Sequence, residues 1–422
     1  MTARAQELSV SLSDNISTIQ RFLETNKLPS LSIEQDVPFQ YQANPDFTRP
    51  RDAAVLACKE LLSLLTGAFG TLTSQTTAEN ANTQAICRFK IAESFPDKQE
   101  SATFDEIADR CGLPEPEVRR IIRASLPSYI FREKSRGTVT HTAASRLLAT
   151  FPLMRQWIET TGAEIHPAAL KVADAIEKWP GSEEPNHTGY NIANNTTDNA
   201  FIHMSKQPGR AEKFAAAMTL FSNGPGYAPT HLVDNYPWDR HSSGTIVDVG
   251  GSHGEYSIPI AQKFSSIQRV IVQDLPHVIE QAGATAPADL QDRVTFMAHD
   301  FFQPQPVKGA DVYLLRWILH DWPDTYATRI LCGLVPALEK SSKVVIHEYI
   351  VPEPGQTPTV QDQTLRIFDT SMRALTNGKE REARDWKKLF AEADDRFKIE
   401  EMWTPERSSL GIIVVGWDAS AV

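Results

Sequence analysis

The residues with the clearest chemical purpose lie in the second half of this 422-residue chain. The apolar run Ile246-Val247-Asp248-Val249 breaks into Gly250-Gly251-Ser252-His253-Gly254. Glycines clustered at such a point let the backbone turn tightly and approach a ligand with no Cβ in the way. The next strand-like run, Arg269 to Gln273, leads to Asp274, about 20 residues beyond Gly254. Nucleotide-binding folds place a carboxylate at that spacing to accept hydrogen bonds from a ribose diol. Together the two features predict an adenosine-containing ligand. A dinucleotide is disfavoured, because the loop lacks the third glycine of the G-x-G-x-x-G pattern that serves a pyrophosphate. Two more groups end strand-like runs: His320 in Ile318-Leu319-His320-Asp321-Trp322-Pro323, and Glu348 after Lys343-Val344-Val345-Ile346-His347. Open α/β sheets bind ligands beyond the carboxyl ends of their parallel strands, so both side chains are expected in the adenosine crevice.

Five runs must supply the sheet: Ile246–Val249, Arg269–Gln273, Arg293–Ala298, Ala310–Trp317 and Lys343–Glu348. They predict an α/β, Rossmann-like domain over residues 226–422. The first half has a different architecture. Apolar residues recur at helical spacing over Thr2–Glu24 and Pro50–Gly67, separated by a proline-rich polar stretch, Pro29 to Pro50, that is expected to be extended. Ser101 to Leu113 reads as a short helix closed by Gly112, and Glu115 to Ala124 as a second. Tyr129–Arg132 and Thr138–Thr142 then read as a hairpin, so residues 1–150 are expected to be mainly helical with a winged-helix layout.

The second half carries, in order, VDVGGSHG, QDLPHVI, HDFF, RWILHDWPD, VVIHEYIVPEPG and NGKERE. In this order and spacing it resembles the plant and fungal O-methyltransferases of the caffeate type, class I enzymes that use S-adenosylmethionine. The resemblance implies that Gly250 and Gly251, with Asp248 before them, lie against the cofactor. It implies that Asp274 binds the ribose with Leu275 beside it, and that Asp300 and Phe301 hold the adenine. Arg316 stands where plant members carry lysine, and is implied as a further cofactor contact. His320 is implied as general base, with Glu348 and Glu380 flanking the imidazole. Residues 151–225, with Phe221, are implied as a helical link roofing the substrate pocket; Trp317 and Met372 read either as lining that pocket or as ordinary core, since apolar side chains serve both. The N-terminal domain is implied to pair two subunits into a homodimer.

The chemistry supports a base independently. Methyl transfer from a sulfonium to oxygen is an in-line displacement that needs an ionised or ionising hydroxyl, and a phenol with a pKa of about 10 is protonated near neutrality. Neutral histidine can take that proton, and a carboxylate such as Glu348 can fix its tautomer. Holding oxygen, methyl and sulfur in line would supply much of the remaining acceleration.

Composition bounds the rest. The chain exceeds what one hydrophobic core organises, so two domains are expected. A net charge of -11 offers no field for a polyanion, which disfavours nucleic acid despite Arg119, Arg120 and Arg123 on the second winged-helix helix. No apolar run reads as membrane-spanning and no signal core is visible, so a cytoplasmic setting is expected. Four cysteines, Cys58, Cys87, Cys111 and Cys332, lack metal or redox spacing, and no metal is expected. The expected function is therefore O-methylation of a hydroxyl on an aromatic or polyketide-like small molecule in secondary metabolism. Two alternatives are a cofactor-binding pericyclase or dehydratase on the same fold, and a DNA-binding regulator that senses the cofactor.

Overall fold

The computed structural model describes residues 2–42, 44–73, 77–96, 99–222, 224, 226–241, 243–282, 287–353 and 360–420. It divides into two compact units, residues 1–167 with 204–221 and residues 168–203 with 222–422, so the segment 151–225 is shared between them.

In the first unit, helix Thr2–Thr25 packs on a long helix, Pro45–Thr73, that is broken internally at Gly67, where φ is +66°. The proline-rich stretch is thus shorter than expected: the long helix begins at Pro45, because a proline is tolerated in a first helical turn. Beyond it lie strand β1 (Ser101–Thr103), helices Phe104–Cys111 and Glu115–Ser125, and strands β2 (Phe131–Ser135) and β3 (Thr138–His141). β3 sits between β1 and β2, antiparallel to both. Thr103 closes β1 and opens the helix, its hydroxyl accepting from the Glu106 N–H while the Glu106 carboxylate accepts from the Thr103 N–H. Gly112, at φ +74°, ends that helix. Ser101–Thr103 was expected as helix; pairing with β3 overrides its local pattern. The three arginines of the second helix are paired within the unit, Arg119 with Glu115, Arg120 with Glu117 and Arg123 with Glu133.

The long helix corrects one expectation. Part of Pro45–Thr73 is apolar and long enough by composition to cross a membrane, although Lys59 and Glu60 interrupt it. Its apolar side chains are largely uncovered: Leu62 and Leu65 before the break at Gly67 and Phe69 and Leu72 after it are exposed, Leu65 and Phe69 at 80% and 81%.

The second unit is built on a seven-stranded sheet of β4 (Thr245–Val249), β5 (Arg269–Asp274), β6 (Val294–Ala298), β7 (Val312–Arg316), β8 (Lys343–Glu348), β9 (Phe397–Trp403) and β10 (Gly411–Trp417). The order is β6-β5-β4-β7-β8-β10-β9. The first five strands are parallel and β10 runs antiparallel between β8 and β9. Burial on both faces explains the near-continuous β-branched runs. Ile246, Val272, Leu314, Val345 and Ile412 pack with Tyr256 and Ile260 on one face. Val247, Ile271, Leu315 and Ile346 pack with Leu331, Trp386 and Phe390 on the other. All five expected parallel strands are present, and the antiparallel pair at the C-terminus is additional. Their carboxyl ends deliver Gly250, Asp274, Trp317 and Glu348 to one edge of the sheet.

Candidate active site

Backbone geometry at the end of β4 demands the glycines. Gly250 has φ +72°, and a Cβ there would come within 2.4 Å of the Ile318 side chain; at Gly251 it would lie 2.5 Å from the Asp248 carboxylate. The turn leaves the backbone bare, with Phe301 and Ile318 against Gly250. The Asp274 carboxylate anchors the same turn, accepting from Ser252 N–H at 2.9 Å and Leu275 N–H at 2.7 Å. Each of its oxygens has spent one lone pair on the loop and keeps another for a diol. Burial raises the Asp274 pKa against these two hydrogen bonds, and pushes Asp248 up to about 6. Asp300 accepts from Phe302 N–H at 3.0 Å, and Phe301 stacks edge-on to Phe302 and Trp322. Leu275 is exposed.

His320 lies in a short 3-10 turn, Leu319–Asp321, just beyond β7 and almost fully buried. Its Nδ1 is 2.8 Å from Glu380 Oε1. An ionised carboxylate only accepts, so Nδ1 carries a hydrogen and Nε2 is the nitrogen at which a proton is gained or lost. Asp321 Oδ1 is 3.7 Å from that Nε2. Burial alone would lower the His320 pKa, but Glu380, Asp321 and Glu348 outweigh it and bring it up to about 9. Burial pushes Asp321 up to about 6 and Glu348 up to about 7. The ring-fixing contact expected of Glu348 is made by Glu380 instead. Glu348 makes no hydrogen bond to the imidazole: its Oε1 accepts from Ile318 N–H at 2.9 Å and Leu319 N–H at 2.7 Å, holding the turn that carries His320. Glu380 fixes the ring.

The segment Asn377–Glu382 is built around that turn. A Cβ on Gly378 would sit 2.1 Å from the His320 carbonyl oxygen, and Lys379 N–H donates to the same oxygen at 3.0 Å. Arg381, fully buried, donates to the carbonyls of Leu319 and Trp322 at 2.8 and 2.9 Å and pairs with Asp324. Asp369 accepts from the Glu380 N–H at 2.7 Å. Asp321, Asp369 and Arg381 were not singled out from the sequence. The glycine after Asn377 amid charges of both signs was the available signal.

Beside the imidazole stands an aromatic wall. Trp317, at φ +51°, stacks near His320 with ring centroids 6.1 Å apart, and Tyr227 meets its other edge at 5.5 Å. The Tyr227 and Tyr349 hydroxyls are 2.6 Å apart, and Tyr349 contacts Phe368. Arg316 is sandwiched between Tyr256 and Trp317, its Cζ 3.6 and 4.2 Å from their ring centres. Its Nε and Nη2 find no partner among the described residues. Met372 is buried in helix Val360–Leu375, with 6% of its surface exposed. The Phe221 side chain lies outside the described residues.

Residues 200–395 match the O-methyltransferase domain model. Over 98% of its length the chain is 37% identical to the O-methyltransferase kk1A of Curvularia clavata, covering 98% of that protein. The chain belongs to the O-methyltransferase family. Seven further relatives, 32–35% identical, are also named O-methyltransferases. Among solved structures, OxaC bound to sinefungin and meleagrin superposes with a TM-score of 0.78 at 23% identity, over 97% of this chain and 99% of that one. LepI in complex with S-adenosylmethionine superposes at 0.74 and 24% identity, over 97% and 100%. These two likenesses establish the fold; the sequence relatives establish the chemistry. This O-methyltransferase takes its methyl group from S-adenosylmethionine, and its residues fit that cofactor. The backbone at Gly250 and Gly251 is bare, Asp274 retains acceptor capacity, and the glycines do not stand at the offsets of the diphosphate pattern.

Proposed function

We propose that this O-methyltransferase methylates a phenolic hydroxyl of an aromatic or polyketide-like small molecule in secondary metabolism, with His320 governing the proton of the acceptor. The observation that carries this is the juxtaposition at the end of β7: an imidazole whose Nδ1 is tied to Glu380 at 2.8 Å, beside the Trp317, Tyr227 and Tyr349 rings. Flat apolar rings suit a flat aromatic acceptor, and Nε2 is the nitrogen left to meet its hydroxyl. His320 takes that proton as the oxygen–carbon bond forms. Glu380 orients the ring and Glu348 fixes its turn. S-adenosylmethionine supplies, when bound, a methyl group on a positively charged sulfur. Asp248, Gly250, Gly251, Asp274, Leu275, Asp300, Phe301 and Arg316 are the residues to hold it. Trp317 and Met372 belong to the acceptor side, with Met372 acting through the packing of its helix.

The exposed apolar side chains Leu62, Leu65, Phe69 and Leu72, on the two helical segments that meet at Gly67, support a homodimer built through the N-terminal unit, since a second copy can cover them. An interface above about 2,000 Å² is expected, and light scattering should give twice the chain mass at all working concentrations. A persistent monomer would leave these side chains without their cover. Nucleic acid and membrane have no part in this reading, and a cytoplasmic setting accompanies it.

The decisive experiment combines products and binding. With S-adenosylmethionine and a panel of polyketide phenols, mass spectrometry should find products heavier by one methyl group. His320→Ala should bind S-adenosylhomocysteine as the wild type does, yet turn over about 10²- to 10⁴-fold more slowly. Products of unchanged mass but altered connectivity would point to the pericyclic chemistry instead.

A further inference from the structure

The side chains around Trp317 form a small aromatic cluster of their own beyond the carboxyl ends of β7 and β8, apart from the two main cores. Tyr349, Leu365 and Leu410 are buried in it, and Tyr227, Trp317 and Phe368 close it with rings that stay partly exposed. Its two hydroxyls, on Tyr227 and Tyr349, lie 2.6 Å apart. Each tyrosine is held in place without that contact. The Tyr227 carbonyl accepts from the Tyr256 hydroxyl at 2.5 Å, and the adjoining Gly226 carbonyl accepts from Ser409 N–H at 2.7 Å. Tyr349 follows β8 directly, and its carbonyl accepts from the Trp386 indole at 3.2 Å. The hydroxyl pair is therefore not needed to fasten either backbone. Two phenol groups in contact hold two hydrogens, spend one between their own oxygens and turn the other outward. Burial pushes the Tyr349 pKa upward, so its hydroxyl keeps its proton. Trp317 is the shared neighbour, with the His320 ring 6.1 Å and the Tyr227 ring 5.5 Å from its own. A flat ring laid on this wall comes within reach of the imidazole and of the hydroxyl pair together.

We propose that the natural acceptor carries a second, uncharged oxygen, a hydroxyl or a carbonyl, elsewhere on its aromatic skeleton, and that the Tyr227–Tyr349 pair is the specificity-determining site that hydrogen-bonds it. This deepens the O-methylation reading and rests on it. Two neutral hydroxyls match an uncharged oxygen, giving it one hydrogen and, where it is itself a hydroxyl, taking one back. The skeleton is then held at two points, and the hydroxyl brought to His320 Nε2 is the one whose spacing from the second oxygen fits. A phenol without that oxygen, or with it at another ring position, forgoes the bond, and a site built to hydrogen-bond a substrate group discriminates against the analogue that lacks it. The pair thus selects both the molecule bound and the oxygen methylated, with no proton or bond exchanged at either tyrosine.

The probes are the dihydroxynaphthalene isomers, set against the naphthols, and the hydroxytetralones, set against the tetrahydronaphthols that lack the carbonyl. Each is titrated calorimetrically into the complex with S-adenosylhomocysteine, and kcat and KM are measured with S-adenosylmethionine. At least one isomer should bind about 10-fold or more tightly than its parent, with the gain in Kd and KM and not in kcat. Its product should carry the methyl group at a single position. Tyr349→Phe and, separately, Tyr227→Phe should bring that ratio to within about 3-fold of unity. The ratio is the readout because it cancels any general loss of activity, and the wild-type comparison stands by itself if a variant does not fold. Wild-type binding of every isomer within about 3-fold of its parent overturns the proposal. So does a ratio that survives both substitutions, and a loss of S-adenosylhomocysteine affinity alongside such a ratio would assign the hydroxyls to the cofactor. In each of those cases methyl transfer to the probes leaves O-methylation intact, whereas absence of transfer to every probe would remove both readings.

Discussion

Replacing Glu380 with glutamine tests the electrostatics of the site without changing its shape. The glutamine oxygen can still accept from His320 Nδ1–H, so the ring stays oriented while one charge disappears. Two unit charges about 4 Å apart at an effective dielectric near 20 interact by about 4 kcal/mol, or about 3 pK units. His320, held up to about 9 with Glu380 as the largest of the raising influences, should therefore fall to about 6 in the variant. NMR titration of labelled histidine reads this directly. The same ionisation should appear as a limb in the pH dependence of kcat/KM, whichever partner carries the proton at encounter, near 9 in the wild type and 2 to 3 units lower in Glu380→Gln. A weaker base also means a lower plateau for weakly acidic phenols, by about 10- to 100-fold on Brønsted grounds. If both the NMR midpoint and the kinetic limb stay within half a unit of the wild type, the carboxylate cluster does not control this imidazole and the charge argument fails.

Two further outcomes concern stability. His320, raised from 6.5 to about 9 in the folded chain, contributes stability that is complete below pH 6.5 and is lost as pH rises to 9, amounting to about 3 kcal/mol for this group alone. Glu348, raised to about 7, acts in the same sense up to that pH, because the folded state holds a proton the unfolded chain has released. Urea midpoints should therefore fall between pH 6.5 and 9, and a His320→Gln variant should lose most of that slope; a flat wild-type profile would contradict it. Gly378→Ala forces a methyl group to within 2.1 Å of the His320 carbonyl, and should cost at least about 2 kcal/mol by denaturation together with most of the turnover. Unchanged stability would mean the segment is not seated as described.

Some of this site was legible in the sequence and some was not, for definable reasons. The five parallel strands were visible because burial on both faces forces long β-branched runs, and His320 and Glu348 were placed by the rule that such strands deliver ligand groups at their carboxyl ends. The same signal was present in Ile412-Ile413-Val414-Val415 of β10 and was passed over. The local pattern could not say which glutamate orients the ring. That depends on a contact across 60 residues of chain, and Asn377–Glu382, charged enough to look like solvated turn, is buried because its charges pair with Asp324 and the His320 turn. Ser101–Thr103 was lost for the opposite reason: three residues are too few for periodicity to register, and only the neighbouring strand makes them β.

The clasp formed by Arg381, Lys379 and Gly378 on the Leu319–Asp324 turn has a consequence for how such enzymes diversify. It closes the chain into a loop whose two ends are welded at the reactive histidine, while the excursion between them carries helix Val360–Leu375. The excursion is itself stitched to the weld: Glu348 in its first half holds the Ile318 and Leu319 N–H groups, and Asp369 on the helix holds the Glu380 N–H. Substitutions on that helix are therefore expected to be tolerated where they leave Asp369 in place, whereas a change at Glu348, Asp369 or Gly378 loosens the turn that carries His320.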